Sequence, residues 1–274
     1  MRILISADME GISGVVDPTH VTSTHTEYQR FRKIMTDDVN AAIRGAFAGG
    51  ATQVVVSDAH GNKTNILVEY LDERAEINSG GIAPFGMIEG VEDRYDAAMF
   101  VGYHACMGTP IAILSHTISS ARVANIWMND RLAGEIGLNA ALCGYFGTPV
   151  ILISSDLAGC KEAEQWIPGI EQVVTKVATS RHSARCLATA ASQKLIEKSA
   201  KSAVERFAAG QGPKPLVMES PVKIVLEVLQ AAMADTAAAL PGGERLDGRK
   251  IAIPAGEMPA AYRALRAAIN LASG

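Results

Sequence analysis

Short apolar runs alternate with longer amphipathic stretches along the chain. Runs rich in β-branched residues predict strands at 2–7, 52–57, 96–102, 111–114, 122–128, 149–154, 171–177 and 222–228. A helical repeat of apolar positions is strongest at 27–48, 135–146, 158–166, 189–209, 229–240 and 257–272. Gly49-Gly50 closes the first long helix and leads into Gln53-Val54-Val55-Val56, a β-α-β order that predicts a parallel pair. The run from Pro149 to Ser154 is almost wholly apolar, as in a strand covered on both faces. Asn129-Asp130-Arg131 reads as a turn. The fold class is therefore α/β, a mostly parallel sheet flanked by helices. Gly210–Pro215 is the best linker candidate, and a strand, a helix, a Pro241-Gly242-Gly243 turn, a short strand and a helix lie beyond it. The division expected is a catalytic α/β metal-binding domain at 1–186 and a smaller α+β domain at 187–274, with the boundary falling between 180 and 215. The tail is expected to pack, to oligomerise or to shape the substrate site.

Metal-type side chains recur where these strands end. Asp8 and Glu10 follow Ile3-Leu4-Ile5 and, two apart, point the same way if the strand conformation continues through them. Two carboxylates that close repel unless a cation lies between them or one is protonated. His60 follows Val54-Val55-Val56, His104 follows Met99-Phe100-Val101, and Glu135 opens a helix after the turn at Asn129-Asp130. Open α/β sheets bind ligands at this end of their strands. Five nitrogen and oxygen ligands exceed what one catalytic zinc takes and suit two metals sharing one carboxylate, for which Asp8 is the candidate. Taken singly, each residue has an ordinary alternative: a loop carboxylate or helix N-cap for Asp8, a macrodipole partner for Glu135, hydrogen-bonded histidines for His60 and His104. The joint pattern favours the metal. His116 follows the apolar run 111–114 and is the free histidine expected to move a proton or stabilise an oxyanion. Asp58, two before His60, is either an orienting acceptor for an imidazole or a turn residue.

Composition narrows the class. The chain has 274 residues, 48% of them apolar and 20% charged, enough for a full core. A net charge of −4 leaves no basic footprint for nucleic acid. No apolar run is long enough for a membrane span, and no signal-peptide pattern precedes the first strand, so the expected address is the cytoplasm. The four cysteines form no C-x-x-C pair and read as reduced thiols. Cys106, two residues past His104, invites a Cys-His reading that a metal site next door makes unnecessary. No G-x-S-x-G elbow, G-x-G-x-x-G after a strand or P-loop is present.

In order, S-A-D-M-E-G (6–11), the helix carrying Tyr28, Arg30, Met35-Thr36 and Asn40, S-D-A-H (57–60), G-Y-H-A (102–105), S-H-T (115–117) and N-D-R-x-x-G-E-x-G-x-N (129–139) resemble one family. It is the zinc-dependent D-aminopeptidases of the dipeptide-transport-operon type, often called self-compartmentalising peptidases. The match is dense to about residue 186 and thinner afterwards. The resemblance implies two Zn²⁺ per chain, with ligands at Asp8, Glu10, His60, His104 and Glu135 and the catalytic histidine at His116. It also implies a homodecamer of two stacked rings, and release of N-terminal D-amino acids, typically D-Ala, from short peptides with a free N-terminus. S-H-T stands where some members have S-H-S. The same metal set would serve an amidase for another small amide, or a non-catalytic metal- or peptide-binding subunit.

Overall fold

The computed structural model describes residues 1–272, with Ala255 described by its backbone alone. The chain runs through β1 (Arg2–Ala7), a short helix α1 (Pro18–Val21), the long helix α2 (Glu27–Ala48), β2 (Gln53–Asp58), β3 (Ala75–Asn78) and β4 (Ala97–Val101). Next come β5 (Val123–Met128), β6 (Arg131–Leu132), α3 (Glu135–Tyr145), β7 (Val150–Asp156), α4 (Leu157–Trp166), β8 (Glu171–Ser180) and β9 (Ser183–Cys186). It ends with α5 (Thr189–Ala208), β10 (Val222–Val228), α6 (Ala231–Ala237), β11 (Glu244–Arg245), β12 (Lys250–Gly256) and α7 (Met258–Leu271).

Seven strands form one sheet in the order β3-β2-β1-β4-β7-β8-β9, parallel except for β9. Five others form an antiparallel sheet, β11-β12-β10-β5-β6. Alternation along β1 and its neighbours decides which core each side chain joins. Ile3, Ile5, Val54, Val56 and Met99 pack beneath α2 and α5, against Met35, Val39, Ile43, Ile196 and Val204. Leu4, Val55 and Phe100 face the other way, onto Ile126, Ile224, Leu226, Ile251 and Leu265 of the second sheet and α7. The large sheet is thus covered on both faces, which is why its strands read as near-continuous apolar runs.

Chain crosses between the two sequence-defined regions. α5, from the C-terminal region, packs on α2 over the large sheet, while β5, from the N-terminal region, pairs with β10. Seven of the eight strand runs and all six helical runs appear, with ends shifted by a few residues at most. The exception is 111–114, which is irregular. Its backbone enters the left-handed region at Ile111 (φ 49°) and Leu114 (φ 47°). Asp156 Oδ2 accepts from Ile113 N at 2.7 Å, and Arg181 O accepts from Leu114 N at 3.1 Å. These partners, distant in sequence, hold the segment against its own β propensity.

The order β2-β1-β4 sets the site. The chain leaves β1 towards β2 and β3, then returns to β4 on the other side, so the topological switch lies between β1 and β4. Ala7 is level with both Asp58 and Val101. The three chains therefore leave the sheet together, just before Asp8, His60 and His104.

Candidate metal centre

β1 ends at Ala7, so Asp8 and Glu10 converge in the turn that follows rather than through strand alternation. That turn lies directly on the one after β4. Asp8 N donates to Val101 O at 2.8 Å and Gly11 N to Gly102 O at 2.7 Å. A Cβ on Gly11 would stand 1.9 Å from Tyr103 O, and one on Gly102, at φ +74°, would stand 2.2 Å from Asp8 O. Only glycine permits this backbone-on-backbone contact, which fixes where the carboxylates meet His104. From behind, the buried Lys176 ammonium donates to Glu10 O, Ile12 O and Val15 O at 2.6–2.8 Å. Thr175 Oγ1 donates to Gly11 O and Ser155 O at 3.0 Å.

All three site histidines obey one rule: one ring nitrogen donates to a backbone carbonyl and the other faces carboxylate. His60 Nε2 lies 2.9 Å from Val21 O at the end of α1, His104 Nδ1 2.9 Å from Ala105 O, and His116 Nδ1 2.9 Å from Leu114 O. A carbonyl only accepts, so each of these nitrogens carries a proton and the opposite nitrogen is the one turned to the cluster. Such bonds orient metal-binding imidazoles. His60 Nδ1 then faces Asp8 Oδ1 at 3.3 Å and Glu10 Oε2 at 3.2 Å. His104 Nε2 faces Asp8 Oδ2 at 3.4 Å and Glu135 Oε1 at 3.5 Å. Asp8 presents a different oxygen to each histidine, the arrangement a shared carboxylate needs. His116 Nε2 is farther, 3.9 Å from Glu135 Oε1, and its ring stacks on His104 with centroids 4.2 Å apart.

The residues fit a metal by two observations. Asp8 Oδ2, Glu10 Oε2 and His104 Nε2 are buried without a hydrogen-bond partner, an expensive state for three convergent polar atoms. Their spacing also matches: two ligand atoms about 2.05 Å from one tetrahedral ion lie roughly 3.3 Å apart. Without an ion the cluster must share protons. Burial lifts the Asp8 carboxyl to about 6, reinforced by the Glu10 charge. Burial opposes the His104 imidazolium, but Glu135, Asp8 and Glu10 outweigh it and raise that ring to about 9. His60 is raised too, by Glu10 and Asp8 against its burial.

Asp58 does not touch the His60 ring. Its carboxylate accepts from Asn65 N and Nδ2 and from Ile66 N at 2.6–2.9 Å, and Asn65 Nδ2 also holds His60 O at 2.6 Å. Tyr28, Thr36 and Asn40 of α2 brace the same loop through Asn65, Leu67 and Tyr70. Burial pushes the Cys106 thiol up to about 11, which disfavours a thiolate nucleophile. Beneath the site runs a buried polar chain that sequence did not reveal. Ser6 Oγ is 2.7 Å from Tyr103 Oη, and Asn139 Nδ2 donates to that oxygen at 3.1 Å. Tyr262 Oη donates to Asn139 Oδ1 at 3.1 Å. A cleft of about 190 Å³ opens over Asp8, His60, His116 and Glu135, and Lys63 and Arg266 also line it. Neither cation stood out in the sequence, because each reaches the cleft only through the tertiary fold.

A family model described as D-aminopeptidase matches residues 1–267, and the chain belongs to that family. Among its relatives is a D-aminopeptidase of Bacillus subtilis (strain 168), 36% identical over 273 residues that cover 99% of this chain and 98% of the relative. The solved structure of the Zn-dependent D-aminopeptidase DppA from Bacillus subtilis, a self-compartmentalizing protease, matches with a TM-score of 0.95 at 36% identity. That match covers 99% of this chain and 98% of DppA. No helix among the described residues is long and apolar enough to cross a membrane.

Proposed function

We propose that this chain is a dinuclear zinc aminopeptidase that releases N-terminal D-amino acids, of the D-Ala type, from short peptides. The observation that carries the reading is Asp8, whose two oxygens face two separate histidines, His60 at 3.3 Å and His104 at 3.4 Å. Asp8 would be the shared ligand, with Glu10 and His60 on one side and His104 and Glu135 on the other. Bound zinc supplies Lewis acidity and acidifies water towards a pKa of ~7. The Val21 and Ala105 carbonyls hold His60 and His104 in the tautomers whose free nitrogens face the carboxylates. Glu135 Oε1 accepts from Ile118 N at 2.5 Å, which ties the loop carrying His116 to the cluster. With Nδ1–H on Leu114 O, His116 can take a proton at Nε2 and pass it to the leaving amine. Like DppA, the chain is proposed to assemble with copies of itself, a decamer being the form the family resemblance implies.

Metal content by mass spectrometry, on protein purified without chelator, tests the site. About two zincs per chain, with hydrolysis of D-alanyl peptides in preference to L-alanyl ones, is the expected result. One zinc per chain after reconstitution would remove the dinuclear reading. A second role for His116 is favoured by one observation: its ligand atom lies within 4.8 Å of those of His104 and Glu135. A His116→Ala protein that keeps both zincs would assign it to proton transfer, and loss of one would make it a ligand.

A further inference from the structure

The cleft above the carboxylate–histidine cluster is cationic at one place. Lys63 is 5% exposed, although a lysine is rarely so deeply buried without a counter-charge. Its backbone is held in the left-handed region at φ 61°, and its ammonium donates to Gly86 O at 2.5 Å. An ammonium has three donors, so two remain. Arg266, half-buried on α7, reaches the same spot: a Cβ built on Gly86 would lie 2.7 Å from Arg266 Nη1. The missing side chain of Gly86 is what gives the guanidinium its place. Among the described residues neither cation is ion-paired with a carboxylate. Burial and then the like charge of Arg266 bring Lys63 down to about 8, against the opposing pull of Glu89 and Asp58. The acids lining the cleft, Asp8 and Glu135, belong to the metal-type cluster, and Glu89 acts on Lys63 from the neighbouring cleft. Two adjacent unpaired cations at a small cleft are a site for an anion.

We propose that Lys63 and Arg266 bind the C-terminal α-carboxylate of the peptide substrate, which makes the enzyme selective for very short peptides with a free C-terminus. This rests on the aminopeptidase reading and adds the feature that sets substrate length. On the Lys63–Arg266 side the cleft measures about 190 Å³, below the ~300–1,000 Å³ typical of drug-sized ligands, and a second cleft of about 380 Å³ opens across His60 and His116 over Glu10. A carboxylate anchored beside Gly86 would hold the peptide bond over Asp8 and Glu135. The guanidinium fork fits it bidentately, and Lys63 adds a point charge. A dipeptide places its carboxylate one residue from the bond to be cut, and each further residue moves the charge away from this pair.

The test compares a D-alanyl dipeptide with its C-terminal amide on the zinc-loaded enzyme. The acid is expected to be preferred by about 10–100-fold in kcat/KM, mainly through KM, as a charge-assisted contact implies. Arg266→Gln should shrink that ratio to within about threefold, Lys63→Gln should shrink it less, and Arg266→Lys should restore part of it. Equal use of acid and amide by the unaltered enzyme, or an unchanged ratio in Arg266→Gln, would overturn the proposal. Calorimetric binding of both ligands to zinc-loaded His116→Ala separates this question from catalysis. Tighter binding of the acid supports the subsite even if no D-alanyl peptide is ever cleaved, a result that would overturn the aminopeptidase reading alone. Equal or absent binding of the two overturns the subsite.

Discussion

His104 and His116 stack 4.2 Å apart, yet opposite kinds of backbone deliver them. His104 follows β4, a five-residue strand buried throughout, at the point where the sheet order reverses. Its ring is 2% exposed and turned towards two carboxylates. His116 sits in an irregular loop with branched residues at positive φ, Ile111 at 49° and Ile118 at 62°. Such a backbone is costly and persists only where its surroundings hold it. Here the ties are Asp156 to Ile113 N, Glu135 to Ile118 N and the Arg181 guanidinium to Ser115 O. The difference matches the role proposed for each ring. A ligand must stay still, and a strand end is the stiffest mount available. His116 is the more open of the two, at 17% against 2%, but His60, a proposed ligand after β2, is 16% exposed, so the mount rather than the exposure separates the roles.

If Asp8 is the shared ligand proposed above, removing it breaks both halves of the site at once. Asp8→Ala is expected to lose both zincs and to lower kcat/KM by roughly 10⁴-fold or more, since every metal-dependent term goes together. Metal analysis alongside kinetics checks it, and a retained pair of zincs would refute the bridge. His116→Ala is expected to cut kcat by about 10²–10⁴-fold with zinc content unchanged. If both variants lost metal equally, the contrast between mount and mover would collapse.

Strand ends were legible because an apolar run leads into a glycine and a metal-type residue in S-A-D-M-E-G, S-D-A-H-G (57–61) and G-Y-H-A. Gly11 and Gly102 leave a sequence mark because only glycine fits their contact. The loop was not legible. Ile111-Ala112-Ile113-Leu114 carries a strand's composition, and the bonds that override it come from residues 43 and 67 positions further on. His116 was singled out because it follows that run, and again through S-H-T, but the strand expected at 111–114 does not form. Lys176 was overlooked for a related reason: in Val173-Val174-Thr175-Lys176-Val177 it looks like a solvent-facing strand residue, whereas its ammonium is sealed beneath Glu10. Asp58 was open to two readings, and its bonds to Asn65 and Ile66 choose the loop-holding one.

Lys176 sharpens the comparison on the side of the rigid mount. Lys176→Met would leave the carbonyls of Glu10, Ile12 and Val15 without their buried donor. A loss of roughly 2–4 kcal/mol of stability is expected, measured by denaturant unfolding, together with weaker zinc binding. On the side of the loop, Asp156→Asn keeps the shape but weakens the bond to Ile113 N. About a tenfold fall in kcat is expected, with KM and zinc content little changed. A parallel loss of zinc would mean that the loop supports the metal ligands as well.

The smallest expected effect concerns protons in the metal-free protein. Against burial, Glu135, Asp8 and Glu10 raise the His104 ring from 6.5 to about 9. Between those values the folded chain keeps a proton that the unfolded chain has released. Stability therefore falls as pH rises through this window. The contribution is complete below about 6.5 and gone above about 9. A drop of a few degrees in Tm across that range is expected for chelator-treated protein. Zinc requires the neutral imidazole and takes the proton's place, so the loaded protein should not show the drop, and its metal affinity should rise over the same range. His104→Ala should remove its share of the metal-free slope and leave that of His60, whose ring Glu10 and Asp8 also raise. A flat profile in the unaltered protein would mean that the carboxylates gather around His104 only when metal is bound.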